Sequence, residues 1–237
     1  MLAVQNVSRT FSNGTTGFKN VNFETKKGEI IGVLGTSGCG KSTLLRVLSG
    51  LDSDYTGTVK ISGDTINSVH EKVGVIFQES RLMPWLTVLE NISFGLRKDN
   101  QKIEKAQEYI RLVGLQGFEN HYPKDISGGM AQRVSIARAL ITAPEVLLLD
   151  EPFSALDAFT KMQLQDLLLT IWEKYKSTMI LVTHDIDEAL YLCDRIIVLK
   201  GQPGEIYQTI QIKEPKPRSR GDVGLAQRKA EILTLLS

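Results

Sequence analysis

Cysteine is nearly absent: Cys39 and Cys193 are the only two in 237 residues, too few for a disulfide framework in a domain of this size. Charge of one sign is lacking as well, since 28 Lys+Arg against 27 Asp+Glu leave a net charge of +1. That balance removes any general electrostatic footprint for nucleic acid or anionic lipid. No apolar run approaches the roughly 18–20 residues of a membrane span. The longest, around Ile30–Leu34 and Val146–Leu149, have the length of buried strands. Met1–Asn6 lacks a basic stretch followed by an apolar one, so no secretory leader is expected. Internal repeats and low-complexity tracts are missing too. What is present is an ordinary globular mixture, 42% hydrophobic and 23% charged, which excludes wholesale disorder and supports a core without metal or disulfide staples. These bounds describe a soluble, cytosolic chain of α/β size.

Leu2, Val4, Val7 and Phe11 alternate with polar residues, as in a half-buried strand. Asn13-Gly14 signals a turn, and Phe18, Val21 and Phe23 a returning strand. Glu29–Leu34 is continuously apolar, as in a strand covered on both faces. It runs into a Gly-rich turn and a helical segment over Ser42–Gly50, and Val59–Ile61 and Val73–Phe77 read as two more strands. From Thr87 to Leu140 periods near 3.6 dominate, the mark of a helical insertion. The α/β pattern resumes with strand Val146–Asp150, helix Ala158–Tyr175, strand Met179–Thr183, helix Ile186–Cys193 and strand Ile196–Leu199. Strands alternating with helices predict a largely parallel sheet. Lys213–Gly221, basic and containing two prolines, is expected to be a solvated connector, and Asp222–Leu236 a short terminal helix.

Gly35-Thr36-Ser37-Gly38-Cys39-Gly40-Lys41-Ser42 satisfies G-x-x-x-x-G-K-[ST] between a strand and a helix. Glycines let successive backbone N–H groups curl around phosphate oxygens, and the helix N-terminus adds partial positive charge. Lys41 can then reach the β- and γ-phosphates, and the Ser42 hydroxyl can ligate Mg²⁺. Val146–Asp150 is an apolar strand ending in Asp150-Glu151. Behind a P-loop, such an end places Asp150 beside the metal and Glu151 toward the γ-phosphate, at the carboxyl ends of the strands. Cys39 reads as a small residue of the loop; the alternative, from its place near a helix N-terminus, is a lowered pKa and a thiol that nucleotide shields from alkylation.

A third segment narrows the class. Ile126-Ser127-Gly128-Gly129-Met130, followed by the helix-like Val134–Leu140, resembles the signature motif of ABC ATPases. The remaining family motifs appear in order. Phe11 matches the aromatic that stacks on adenine, usually Tyr. Gln78 matches the Q-loop, Ser154–Asp157 the D-loop and His184 the switch histidine. The resemblance extends from Leu2 to Ile210. It implies a P-loop NTPase of the ABC type, with a mostly parallel sheet, N-terminal antiparallel strands and a helical subdomain insertion. In its terms the RecA-like core spans 1–86 and 144–210, the helical subdomain 87–143, and a linker with a short helix 211–237. It further implies ATP and Mg²⁺ as cofactors. Glu151, His184, Lys41 and Gln78 would be catalytic, and Ser42, Gln78 and Asp150 would face the metal. Phe11, Gly35–Thr43 (including Thr36, Ser37, Gly38, Cys39, Gly40 and Thr43), Ser127, Gly128, Gly129 and Asp157 would bind nucleotide. Because the signature of one subunit caps the γ-phosphate held by the other, the resemblance also implies a homodimer, or a pair with a paralogue, sandwiching two ATP. Met130 stands where the signature usually has Gln, while the Ser-Gly-Gly cradle is intact.

Asp150 follows Lys41 by 109 positions with no sustained heptads, which excludes the long arms of chromosome-maintenance relatives. Translation-type relatives carry two such domains and this chain one, so a transporter subunit remains. Pro84-Trp85-Leu86-Thr87-Val88, Glu151–Ala158 and Pro203-Gly204-Glu205-Ile206 resemble the nitrate, sulfonate and taurine importer group. That resemblance implies membrane permease subunits docking near Trp85, an extracytoplasmic solute-binding protein, no nucleic acid, and a cytoplasmic, peripheral position on the inner face of the cell membrane. An exporter or lipid-extracting ATPase, or a regulator without turnover, stays open as an alternative.

Overall fold

The spacing Leu2, Val4, Val7 breaks strict alternation by one residue, and the chain absorbs the break with a bulge. In the computed structural model, which describes residues 1–96 and 101–236, β1 (Leu2–Thr10) keeps all three side chains buried. Asn6 takes a left-handed φ of 51°, and the pairing register with β2 (Thr16–Glu24) shifts between Val4 and Val7. Asn20 does the same on β2 with φ 50°, which keeps Phe18, Val21 and Phe23 on the core side. Asparagine tolerates this conformation better than most residues, and a bulge restores the inward face after an extra residue. β4 (Thr56–Ile61) and β5 (Asp64–Thr65) complete an antiparallel sheet of order β2-β1-β4-β5.

The second sheet has the order β10-β9-β3-β8-β7-β6. It comprises β3 (Ile30–Gly35), β6 (Val73–Ile76), β7 (Val146–Asp150), β8 (Thr178–Val182), β9 (Arg195–Lys200) and β10 (Glu205–Gln211). All neighbours are parallel except β10, which returns antiparallel to β9. The continuous apolar runs are explained by two cores. Leu147, Leu149, Leu34 and Leu181 face one cluster, while Leu148, Val33, Ile180 and Val182 face the other, with Leu2, Val4, Phe18 and Leu44. Each such side chain, fully buried, contributes roughly 1.5–3 kcal/mol.

Helix α1 (Lys41–Leu48) follows β3, and α2 (Val88–Ser93), α3 (Lys102–Leu112) and α4 (Gly128–Leu140) form the helical block. Thr87 and Glu90 close a capping box on α2. Buried Asn91 accepts from the Met83 amide and donates to the Met83, Leu86 and Thr87 carbonyls, so the turn carrying Trp85 is pinned from below. Then come α5 (Ala158–Tyr175), α6 (Ile186–Leu192) and α7 (Val223–Leu236). Residues 97–100 of the expected helical block and Ser237 of the C-terminal segment lie outside the described residues.

Two features go beyond the sequence reading. β10 is absent from the sequence reading because it is an edge strand with a largely exposed, polar pattern. The connector is mostly exposed, as expected, but it is anchored: Arg218 is 6% exposed. Its Nη1 donates to the carbonyls of Leu190, Tyr191 and Cys193 at 2.9, 3.2 and 2.7 Å. Lys216 bonds Asp194 at 2.9 Å and lies 3.9 Å over the Trp172 ring. The last carbonyls of α6 have no helical donors, and a guanidinium supplies several at once.

Candidate active site

Parallel pairing sets the carboxyl ends of β3, β6, β7 and β8 along one edge of the sheet, where open α/β sheets bind ligands. The P-loop leaves β3 there. A side chain at Gly35 would sit 2.4 Å from the Leu199 carbonyl oxygen and 2.6 Å from Cys39 Sγ, so only glycine fits. Gly38 and Gly40 take φ of 82° and 88°, which curls the loop onto the start of α1. The Lys41 side chain folds back, its Nζ donating to the Gly35 and Thr36 carbonyls at 2.9 and 3.0 Å.

Ser42 Oγ donates to Asp150 Oδ1 at 3.1 Å, joining the start of α1 to the end of β7. Burial holds the Asp150 carboxyl above its ordinary range; the Ser42 hydrogen bond opposes this, and the charge on Glu151 adds to it. The next residue, Glu151, adopts a left-handed φ of 45° while its amide bonds the Val182 carbonyl at 2.9 Å. That conformation, costly for any residue with a Cβ, turns Glu151 toward the end of β8. Its Oε2 lies 3.0 Å from Nδ1 of His184, whose ring is 63% exposed. The edge therefore holds two carboxylates with different partners, one on a hydroxyl and one on an imidazole.

Phe11 is half-buried in the turn after β1. A Cβ at Gly17 would come within 3.3 Å of both the Phe11 ring and Thr43, so the ring stands beside the start of α1. The Arg9 guanidinium backs it at 4.5 Å from the centroid and is itself held by Asp52 and Asp54, each at 2.8 Å. Gln78 is exposed just past β6. Its neighbours are gripped by α4: Gln132 donates to the Phe77 carbonyl at 3.1 Å, and Arg138 to those of Ser80 and Arg81.

Ser127 caps α4, accepting from the Met130 amide at 3.2 Å, and Gly129 packs so closely on Thr160 that a Cβ would meet its methyl at 2.5 Å. The contacts of Ser127 and Gly129 run to α4 and α5 rather than to the P-loop of the same chain. Asp157 caps α5 through the Phe159 and Thr160 amides at 3.1 and 3.0 Å. Cys39 packs as a small residue of the loop, and the alternative of a reactive thiol fails. It is fully buried, and burial raises its pKa although Lys41 opposes this. Desolvation outweighs the helix terminus, and an enclosed thiol leaves nucleotide nothing to shield.

Sequence reasoning missed Gly204 as a site residue. A Cβ there would overlap the Cys39 carbonyl oxygen at 1.9 Å. Its amide bonds the Gly17 carbonyl at 3.2 Å, so the turn before β10 backs the P-loop. The visible signal was the Pro203-Gly204 turn, read only for its resemblance.

The family model of ABC transporters matches residues 18–154, more than half of the chain. The chain belongs to the ABC transporter family. This ABC protein is 50% identical over 236 residues to an aliphatic sulfonates import ATP-binding protein of Bacillus cereus, covering 98% of this chain and 94% of that one. It is 52% identical over 206 residues to the like-named protein of Bacillus subtilis, covering 86% and 81%. Among solved structures it resembles a dimeric ATP-binding cassette in a post-hydrolysis state bound to ADP and Pi, with 34% identity and a TM-score of 0.79 over 91% of this chain and all of that one. The cbiO1 protein of Clostridium perfringens, part of the ABC transporter complex cbiONQ, superposes with a TM-score of 0.82 at 26% identity over 99% and 97%. The ABC chain is thus an ATP-binding and ATP-hydrolysing subunit. Among its described residues no helix is long and apolar enough to cross a membrane.

Proposed function

We propose that this subunit energises import of a small sulfonate, or a closely related anion such as nitrate or taurine, by hydrolysing ATP at the Asp150–Glu151 edge. The observation that carries the reading is the division of labour between the two carboxylates, Asp150 on Ser42 at 3.1 Å and Glu151 on His184 at 3.0 Å. Lys41 and the P-loop amides hold the β- and γ-phosphates, the ammonium exchanging its two loop carbonyls for phosphate oxygens. Ser42, Asp150 and the Gln78 amide are hard oxygen donors suited to Mg²⁺, which keeps few protein ligands beside phosphates and water. When bound, the metal neutralises charge on the β- and γ-phosphate oxygens.

Glu151 orients and deprotonates the attacking water. His184 donates Nδ1–H to Glu151, which fixes the carboxylate and leaves Nε2 free to face the γ-phosphate. Phe11 stacks on the base, and Thr43 and the remaining P-loop amides line the phosphate tail. Ser127, Gly128 and Gly129, turned away from their own P-loop, complete the site of a second subunit, and Asp157 meets that partner. The sulfonate import proteins named above support the direction of transport and the solute. On this reading the Met83–Thr87 turn, with Trp85 72% exposed, docks a membrane permease, which holds the subunit at the inner face of the membrane. An extracytoplasmic protein delivers the solute to that permease.

The test has two parts. Glu151→Gln should bind ATP normally, accumulate as a dimer by size exclusion, and release phosphate about 10²–10⁴ times more slowly; near-normal turnover removes Glu151 from its role. The complex that co-purifies from detergent-solubilised membranes, reconstituted in vesicles with ATP on the side of this subunit, should draw ethanesulfonate to that same side. Transport toward this subunit's own side is the importer result, seen when the vesicles present the permease's outer face to the solute. A permease that only expels substrate overturns it.

A further inference from the structure

His184 is mostly exposed, so its ring is placed by the backbone on either side rather than by packing. Both flanking residues are tied into one buried network. Thr183 Oγ1 donates to Glu188 Oε2 at 2.6 Å and accepts from the Asp185 amide at 3.0 Å. Asp185 Oδ1 in turn accepts from the amides of Asp187 and Glu188 at the start of α6. Glu188 is 3% exposed, an expensive place for a carboxylate without a cation. The cation comes from another helix: Lys161 Nζ lies 2.9 Å from Glu188 and 3.2 Å from Asp185.

Lys161 sits one turn into α5, and its amide bonds the carbonyl of Asp157, the helix-capping residue. Beside it a cavity of about 790 Å³ separates α5, α6 and α7, with Leu156, Lys161, Asp185 and Glu188 on its wall. The ammonium thus spans a gap that packing does not fill. We infer that Lys161 is a positioning residue for His184, bracing the Asp157 end of α5 against the Thr183–Glu188 segment through Glu188 and Asp185. With the ammonium removed, buried Glu188 and half-buried Asp185 lose the cation they share. Glu188 must then take up a proton or swing out, and Thr183 loses the acceptor that fixes it. Any movement of Asp157 in the dimer reaches His184 along the same path.

The inference rests on the catalytic reading of His184 and Glu151, and the experiment separates the two. Purified full-length Lys161→Met and Lys161→Arg are compared with His184→Ala for kcat and KM in Mg-ATP hydrolysis. Their ¹⁵N-histidine spectra are recorded too, the chain having three histidines. Lys161→Met should lower kcat about tenfold and shift the His184 ring signals, with KM within about twofold and His70 and His121 unmoved. Lys161→Arg should restore both. Unchanged His184 signals with normal kcat overturn the brace, as does a rise in KM with all three histidines broadened together, which marks general loosening. Wild-type turnover in His184→Ala rejects the catalytic reading itself; loss there but not in Lys161→Met rejects the brace alone. Should Lys161→Met not fold, Glu188→Gln gives the same readouts.

Discussion

Replacing Arg218 by Met tests whether the C-terminal segment clamps α6. Methionine keeps most of the unbranched stem and removes the guanidinium, so the change falls on hydrogen bonds more than on packing. Arg218 makes four, to the carbonyls of Glu214, Leu190, Tyr191 and Cys193. A hydrogen bond to a charged group is worth about 1.5–3 kcal/mol net, and an orphaned buried carbonyl costs about 1–3 kcal/mol. The four share one charge and its removal recovers desolvation, so they do not add. A loss of about 3 kcal/mol is expected. For a chain of this length that lowers Tm by about 6–12 °C, at about 2–4 °C per kcal/mol. The assay is thermal unfolding by circular dichroism, with Lys229→Met as control. Lys229 bonds the exposed Asp187 at 2.6 Å, an exposed type of pair worth about 0–1 kcal/mol. If the two variants melt within about 2 °C of each other, the carbonyls at the end of α6 are satisfied without Arg218 and the clamp is wrong.

Other consequences follow at separate places. Gly204→Ala forces a methyl onto the Cys39 carbonyl, and a displacement on the scale of an ångström should weaken ATP binding about ten- to a hundredfold. Titration with a fluorescent ATP analogue measures it, and unaltered affinity in a normally folded variant would show that the turn yields instead. The Asp157 carboxyl is held below its ordinary range by hydrogen bonds from Thr160 and Phe159. Its folded value being depressed, its contribution is present above the ordinary aspartate value and is lost as pH falls through the depressed one. Asp157→Asn, which keeps an acceptor for the helix cap, should therefore flatten the acid side of the Tm-against-pH curve; an equally steep acid limb refutes this.

The local chemistry was legible because it is local. Gly35–Ser42 and Val146–Glu151 each declare their purpose within eight residues, and the helix Ala158–Tyr175 runs as its pattern says. The strain at Glu151 and the bulges at Asn6 and Asn20 lie in the same stretches, yet alternation alone does not mark them. What was hidden depends on partners far along the chain. Arg218 looks like a solvated charge until the carbonyls of α6 are brought to it, 25 to 28 positions away. Lys161 and Glu188 sit on separate helices whose surface patterns give no hint of a shared pair. At Cys39 proximity to a helix end is visible in sequence and desolvation is not. β10 escaped because an edge strand needs only half the signal of a covered one.

The P-loop emerges early in synthesis, but its walls do not. Gly35 is enclosed by Leu199 and the Cys39 turn by Gly204, and β3 is flanked by β8 and β9, all from the last third of the chain. A ribosome-bound subunit that has not yet released this last third carries the phosphate motif with nothing behind it. Competence for nucleotide therefore waits on β8, β9 and the turn at Gly204.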